Sequence, residues 1–166
     1  MSSPPGSRAP PFSRNNMTIA IEPIAFVRNS RKDPIDDHWG EIVSEVELAE
    51  GVPGESLDGI DSFSHVEIIY CFHRSEKTVI GSEHPRENPA WPRVGIFAQR
   101  KKDRPNHVGT AFANLVRREG RKLVVANLDA IDGTPVIDIK PVMAEYLPKG
   151  KVSEPPWTSE LMAHYW

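Results

Sequence analysis

Before residue 157 no stretch of this chain carries apolar residues at the 3.6-residue spacing of an amphipathic helix, and this absence constrains its fold most. Short apolar or alternating segments are instead interrupted by Gly, Pro, Asn and Asp. Residues 19–27 form the first, where Pro23 marks an edge or a bend because it cannot donate to a ladder. Residues 41–48 alternate acidic and apolar in their second half, and 65–72, 94–98 and 108–116 follow. Glu119-Gly120 reads as a turn pairing 108–116 with 122–128 as a hairpin, and 136–139 closes the series. About seven short strands with Gly- and Pro-rich connections predict an all-β fold, a small barrel or a sandwich.

The ends differ from this body. Residues 1–16 hold four prolines, a glycine and four serines with almost nothing apolar, a composition that cannot offset its ordering entropy and predicts a mobile tail. Residues 17–148 are then the folded domain. In the remaining 149–166, Trp157, Leu161, Met162, Tyr165 and Trp166 flank Thr158-Ser159-Glu160, which predicts a short helix capped by Thr158. Two tryptophans and a tyrosine in so short a segment call for burial, as a plug on the body or as a subunit contact.

The net charge is only −3, but its distribution is uneven. Residues 33–73 contain eleven Asp or Glu and no Lys or Arg, whereas 93–122 contain nine Lys or Arg against Asp103 and Glu119. Two arrangements fit this segregation: a basic face suited to a polyanion, or neutralisation of one segment by the other across the fold. The single Cys71 lies in an apolar strand candidate, where a cysteine is usually core. One cysteine gives neither an intrachain disulfide nor a zinc cluster, which fits a reducing compartment and a soluble cytoplasmic protein. No apolar run approaches the ~20 residues of a membrane-spanning helix.

Gly-x-Gly and Gly-x-Ser-x-Gly are absent, so neither a dinucleotide fingerprint, a phosphate loop nor a hydrolase elbow is present. Chemistry-bearing residues instead sit between strands. Arg100, Lys101, Lys102 and Arg104 are four cations in five residues, followed by Pro105-Asn106-His107; such clusters suit phosphate, and Pro105 restrains its neighbours. Asp132-Gly133-Thr134-Pro135 is a turn by its chemistry alone, with Asp138 and Lys140 alternating on the next strand as site residues or as a surface ion pair. His73 and Arg74 stand where a strand ends, a common place for ligand groups. His65 reads as structural. The Pro-rich loop His84–Pro89, which contains Arg86, reads as a lid.

Taken together, these blocks resemble the TsaA-like (YaeB-like, TrmO-type) family of S-adenosylmethionine-binding β-barrel methyltransferases. The resemblance runs from about Ile21 to Pro148. It is carried by Phe63-Ser64-His65, the strand into Phe72-His73, Gly95 to Arg100, Arg104-Pro105-Asn106 with Gly109, and Asp132 to Pro141. It implies a small dimeric barrel that binds S-adenosylmethionine near the subunit interface. It further implies methylation of the exocyclic amine of threonylcarbamoyl-adenosine beside the tRNA anticodon. By motif match the cofactor meets His73, Arg74, Arg100, Thr110 and the turn Ile131, Asp132, Gly133 and Thr134, with Arg28 and Arg31 matching more loosely. A sulfonium methyl donor needs no metal, only in-line alignment. Carbamoylation acidifies the amine's N–H, so a nearby base raises its reactivity; Asp132 and His107 are the candidates. Lys101, Lys102, Arg104 and Asn106 are expected to meet the RNA. The sequence departs from the family pattern at Gln99, His107-Val108 and Val142, all near the expected pocket mouth. Larger family members carry a further C-terminal domain associated with gripping tRNA.

Overall fold

Alternation of buried inward and more exposed outward side chains along the strands builds this molecule. The structure is a computed structural model and describes residues 18–166, so the expected tail at 1–16 lies outside the described residues. Six strands close into an antiparallel barrel: β1 (Ala25–Arg28), β2 (Val43–Leu48), β3 (His65–Cys71), β6 (Val108–Glu119), β7 (Lys122–Ala126) and β8 (Pro135–Pro141), in the order β1-β2-β7-β6-β3-β8. Two further strands, β4 (Ser82–Glu83) and β5 (Val94–Gly95), pair outside it within the excursion between β3 and β6. The all-β barrel with a short C-terminal helix is therefore the architecture of the chain.

Along β3, Val66, Ile68 and Tyr70 point inward and are buried. Facing them on β6 are Ala113, Ala111 and Gly109, small residues that leave room for the larger side chains in the narrow interior of a six-stranded barrel. Val27, Val46, Leu123, Val125, Leu128 and Val136 complete the core. The hairpin β6–β7 turns at Gly120 (φ 59°), where glycine accommodates the left-handed backbone. Two bulges interrupt the ladders, one in β6 between Leu115 and Arg117 and one between β3 and β8 at Ile69/Tyr70.

Several local expectations need correction. The first strand shrinks to Ala25–Arg28, because Ile19 and Ile21 stand exposed and Pro23 cannot continue the ladder. Residues 94–98 hold only a two-residue strand followed by a 3₁₀ turn, Ile96–Ala98. Cys71 is not core: its register on β3 turns it outward and leaves it partly exposed, although burial still raises its thiol pKa. Helix α1 (Pro156–Leu161) starts before Thr158, with Pro155 as cap and Pro156 in the first turn, where a missing N–H costs nothing. The Thr158 hydroxyl instead donates back to the Pro155 carbonyl. Among the described residues no helix is long and apolar enough to cross a membrane.

Topology positions the functional end. In this antiparallel barrel the connections 29–42, 72–107 and 127–134 all emerge at the same end, while the short 3₁₀ turns Gly54–Leu57 and Ile60–Ser62 lie in the connection at the other. Residues 156–166 return to the loop-rich end, where His38 and Trp39 donate backbone N–H groups to the carbonyls of His164 and Tyr165. Gly109 is the tightest point of the wall: a Cβ there would lie 2.7 Å from both Phe72 Cζ and Tyr70 Cε2. Gly109→Ala is therefore expected to destabilise the barrel by about 1–3 kcal/mol in denaturant unfolding, because the buried Tyr70 ring cannot yield.

Candidate functional site

The loop after β1 and the turn before β8 are held together by a polar clasp. The Gly133 N–H donates to the Val27 carbonyl at 2.7 Å, and the Asp132 N–H to the Arg31 carbonyl at 2.7 Å. Asn29 is the pin: its backbone N–H reaches Asp132 Oδ1 at 3.0 Å, and its side-chain amide donates to the Ala130 carbonyl at 2.8 Å and to the buried Ser44 hydroxyl at 2.9 Å. Its carbonyl oxygen accepts the Arg31 N–H. Lys32 Nζ pairs with Asp132 Oδ2 at 2.6 Å. That ammonium, with the Asn29 N–H, holds the Asp132 carboxyl below its ordinary pKa. Gly133, at φ 81°, lets the turn close, and a Cβ there would meet His73 Nε2 at 3.9 Å. Burial lowers the His73 imidazole pKa, which favours the neutral ring. Arg74 Nη1 donates to the Lys32 carbonyl at 2.6 Å. His73, Arg74, Ile131, Asp132, Gly133 and Thr134 thus meet at one place with the 29–32 loop.

Arg31 lies in this cluster, but its guanidinium turns away from the turn. It stacks over Trp39 at 4.3 Å and donates to the carbonyls of Asp37 and His38, so its head shapes the 35–39 loop. Arg28 is half exposed and faces Glu47 at 3.9 Å along the wall. Arg100 and Thr110 form a second group on the outer face of β6. Arg100 Nη2 donates to the Thr110 carbonyl at 2.8 Å, and the Thr110 hydroxyl donates to Glu67 Oε1 at 3.0 Å. Asp138 and Lys140 pair with each other at 2.8 Å on the exterior, the surface ion pair of the two readings of that strand.

The basic turn is built around a buried acid. Asp103 is 6% exposed and accepts hydrogen bonds from Ser75 Oγ at 2.6 Å and Lys102 Nζ at 3.2 Å. Burial alone would raise its pKa; these two donors hold it below the ordinary value. Lys101 also turns inward, to Glu83 and Asp103. Arg104 donates to the Gln99 carbonyl at 2.9 Å, and Asn106 is exposed at the tip. A cleft of about 210 Å³ opens beside this turn, lined by Arg74, Glu76, Lys77, Lys102 and Asp103. His107, in the left-handed region at φ 50°, brings Nε2 within 2.8 Å of the Lys77 carbonyl. A carbonyl only accepts, so Nε2 carries the proton of the neutral ring and Nδ1 is its basic nitrogen.

Sequence patterns did not single out Asn29, Asp103, Asp129 or Tyr70, and marked Tyr165 only as one of the C-terminal aromatics calling for burial. Asp129 accepts from Tyr70 Oη at 2.8 Å and from Tyr165 Oη, and burial pushes the pKa of both phenols up. Of the first four only Asp103 had a visible signal, a lone acid amid four cations. The others are united by strand register and by the return of the C-terminal segment.

The clustered end loops of a small closed barrel define a site made from connections on a rigid wall, outside the doubly wound folds. The model of the tRNA-methyltransferase O N-terminal domain matches residues 27–146, and the chain belongs to that family. It is 40% identical over 105 residues to the human tRNA (adenine(37)-N6)-methyltransferase, which covers 62% of this chain and 23% of the relative. It is 31% identical over 140 residues to a probable S-adenosyl-L-methionine-binding protein of Pyrococcus abyssi, covering 78% of this chain and 71% of the relative. A crystal structure of TrmO from Pseudomonas aeruginosa superposes with a TM-score of 0.65 at 27% identity, over 81% of this chain and 61% of that one. The chain spans less than a quarter of the length of the human and mouse relatives, 23% and 22%.

Asp132 offers a direct check on the clasp. Its depressed pKa contributes stability that is present above the unfolded-state value and lost as pH falls through the folded value. Lys32→Ala removes the first cause of the depression. The Asp132 carboxyl is expected to titrate at higher pH in this variant, read by carboxyl-carbon NMR, with acid loss of the clasp moving up in step.

Proposed function

We propose that this protein is an S-adenosylmethionine-dependent methyltransferase acting on the exocyclic amine of threonylcarbamoyl-adenosine beside the tRNA anticodon. The observation that carries the reading is the gathering of the clasp, His73-Arg74 and the basic turn at one end of the barrel in a chain of this family. The catalytic unit is the domain 17–148, acting in the cytoplasm.

The donor set fits the cofactor. Exposed guanidinium groups at Arg74 and Arg100 suit its carboxylate, while the Glu67 carboxylate suits its sulfonium. Bound there, the cofactor supplies an electrophilic methyl group. The residues of the Ile131–Thr134 turn bind through side chains and carbonyls, because the N–H groups of Asp132, Gly133 and Thr134 are already taken by Arg31, Val27 and Ile131. The reacting amine loses one proton as its new N–C bond forms, and a base on the protein must hold it. Of the two candidates, His107 suits the role better. Its Nδ1 is the basic nitrogen, whereas both Asp132 oxygens are engaged and its carboxylate is a weakened base. Lys102 lines the cleft that receives RNA phosphates, Arg104 and the exposed Asn106 follow it in the same turn, and Lys101 supports them from inside through Glu83.

A homodimer completes this reading. Val108, Phe112 and Val116 form an exposed apolar row on the outer face of β6, beside Arg100 and Thr110, and a second copy covers it. Phe112→Lys is expected to convert the protein to a monomer by light scattering; a dimer that survives the change removes this face from the interface.

Purified protein is expected to transfer label from radiolabelled S-adenosylmethionine to tRNA carrying threonylcarbamoyl-adenosine and not to tRNA lacking it. Transfer to both would favour another base as acceptor. Arg104→Ala is expected to weaken tRNA binding and to reduce the slope of log K against log salt by about 1. An unchanged slope would move the RNA path off this turn.

A further inference from the structure

We propose that Tyr165 is a positioning residue: acting through Asp129, it holds the Asp129–Thr134 turn in its binding geometry, so that residues 156–166 form a strap completing the pocket. The inference rests on the reading that this end of the barrel takes S-adenosylmethionine. It goes beyond that reading by assigning a role to a segment outside the matched residues 27–146.

Two independent routes run from the strap to the same turn. The first is through side chains. Asp129 is bridged between two phenols, accepting from Tyr70 on one oxygen and Tyr165 on the other. Tyr70 is fixed, 1% exposed in the barrel wall with its ring edge-on to Phe72. Tyr165 comes only with the strap. The carboxylate thus has one immovable donor and one supplied from outside, and it stands directly before Ala130, whose carbonyl takes the Asn29 amide of the clasp. A hydrogen bond to a charged carboxylate is among the stronger polar contacts a protein makes.

The second route is through backbone. The buried Trp39 donates its N–H to the Tyr165 carbonyl at 2.7 Å, and His38 does the same to His164 at 2.9 Å. Trp39 carries the Arg31 guanidinium on its ring, and the Arg31 carbonyl accepts the Asp132 N–H. Gly40 keeps this seam tight: a Cβ there would lie 2.8 Å from the Trp166 backbone. Trp91 Nε1 to Glu160 Oε2 at 2.7 Å fastens the strap to the 84–91 loop, which Arg86 in turn locks to Asp37 through two hydrogen bonds. Strap, 84–91 loop and clasp are therefore one circuit of contacts at this end of the barrel.

The test is calorimetric titration of S-adenosylmethionine into the wild type, Y165F, D129N, the double variant and G40A, with thermal melts alongside. Y165F and D129N are each expected to weaken binding about tenfold, the effect of one hydrogen bond to a charged group. The double variant is expected to bind no more weakly than the worse single one, because both remove the same link. G40A, which crowds the strap without removing a polar group, is expected to lower affinity in the same range. In Y165F without cofactor, the amide resonances of Asp132 and Gly133 are expected to shift. Losses that multiply to about a hundredfold in the double variant, unmoved amide resonances, or wild-type affinity in both Y165F and G40A overturn the proposal and leave the cofactor reading standing. A wild type that does not bind S-adenosylmethionine overturns both.

Discussion

The Asn29 side chain is the interaction on which the functional end of this barrel depends. One amide group touches the Ala130 carbonyl, the Ser44 hydroxyl and the Arg31 N–H, and so joins the β1 exit, the inner face of β2 and the turn before β8. Each of these groups is at least partly withdrawn from water, and leaving one unpaired costs more than the pairing itself contributes. Among the described residues no buried side-chain nitrogen or oxygen lacks a partner. The clasp is therefore a fully satisfied polar network, the kind that fixes one geometry rather than several.

Among the described residues two ion pairs join the acidic segment to the basic one, and its other paired acids take partners outside 93–122. Glu45 takes Lys122, Asp58 takes Arg118, Asp37 takes Arg86 and Glu47 faces Arg28. Most of these pairs lie on the surface, where each contributes little to stability; they match loop to wall rather than hold the wall up. Arg121 is consumed differently, donating to the carbonyls of Val52 and Ala49. Around the basic turn, Glu83 and Asp103 draw Lys101 and Lys102 inward.

The barrel was legible because its signal is periodic and local. Val66, Ile68 and Tyr70 alternate in the sequence as they do in the wall, and Gly120 announces its own hairpin. The turn at Asp132 was legible for the same reason, since its chemistry lies within four residues. Asp129 was not, because its partners stand 59 and 36 residues away and nothing local marks them. The first strand was read too long because Ile19 and Ile21 are apolar yet have no wall to join. Thr158 looked like a cap because that residue type often is one, while the adjacent prolines had already set the helix start.

The bulge at Ile69/Tyr70 changes the phase of β8. Below it Ile139 faces Ile68 and Asp138 lies across from Ile69; above it Val136, not Ile137, stands opposite Tyr70 and also meets Ala25 of β1. The two halves of the strand thus count inside and outside differently, as if a stair had one extra step. The upper count is the one that turns Val136 and Thr134 inward and delivers the Asp132-Gly133 turn to the seam with β1. A single surplus residue in a wall strand sets how the turn just before that strand is presented to the seam with β1.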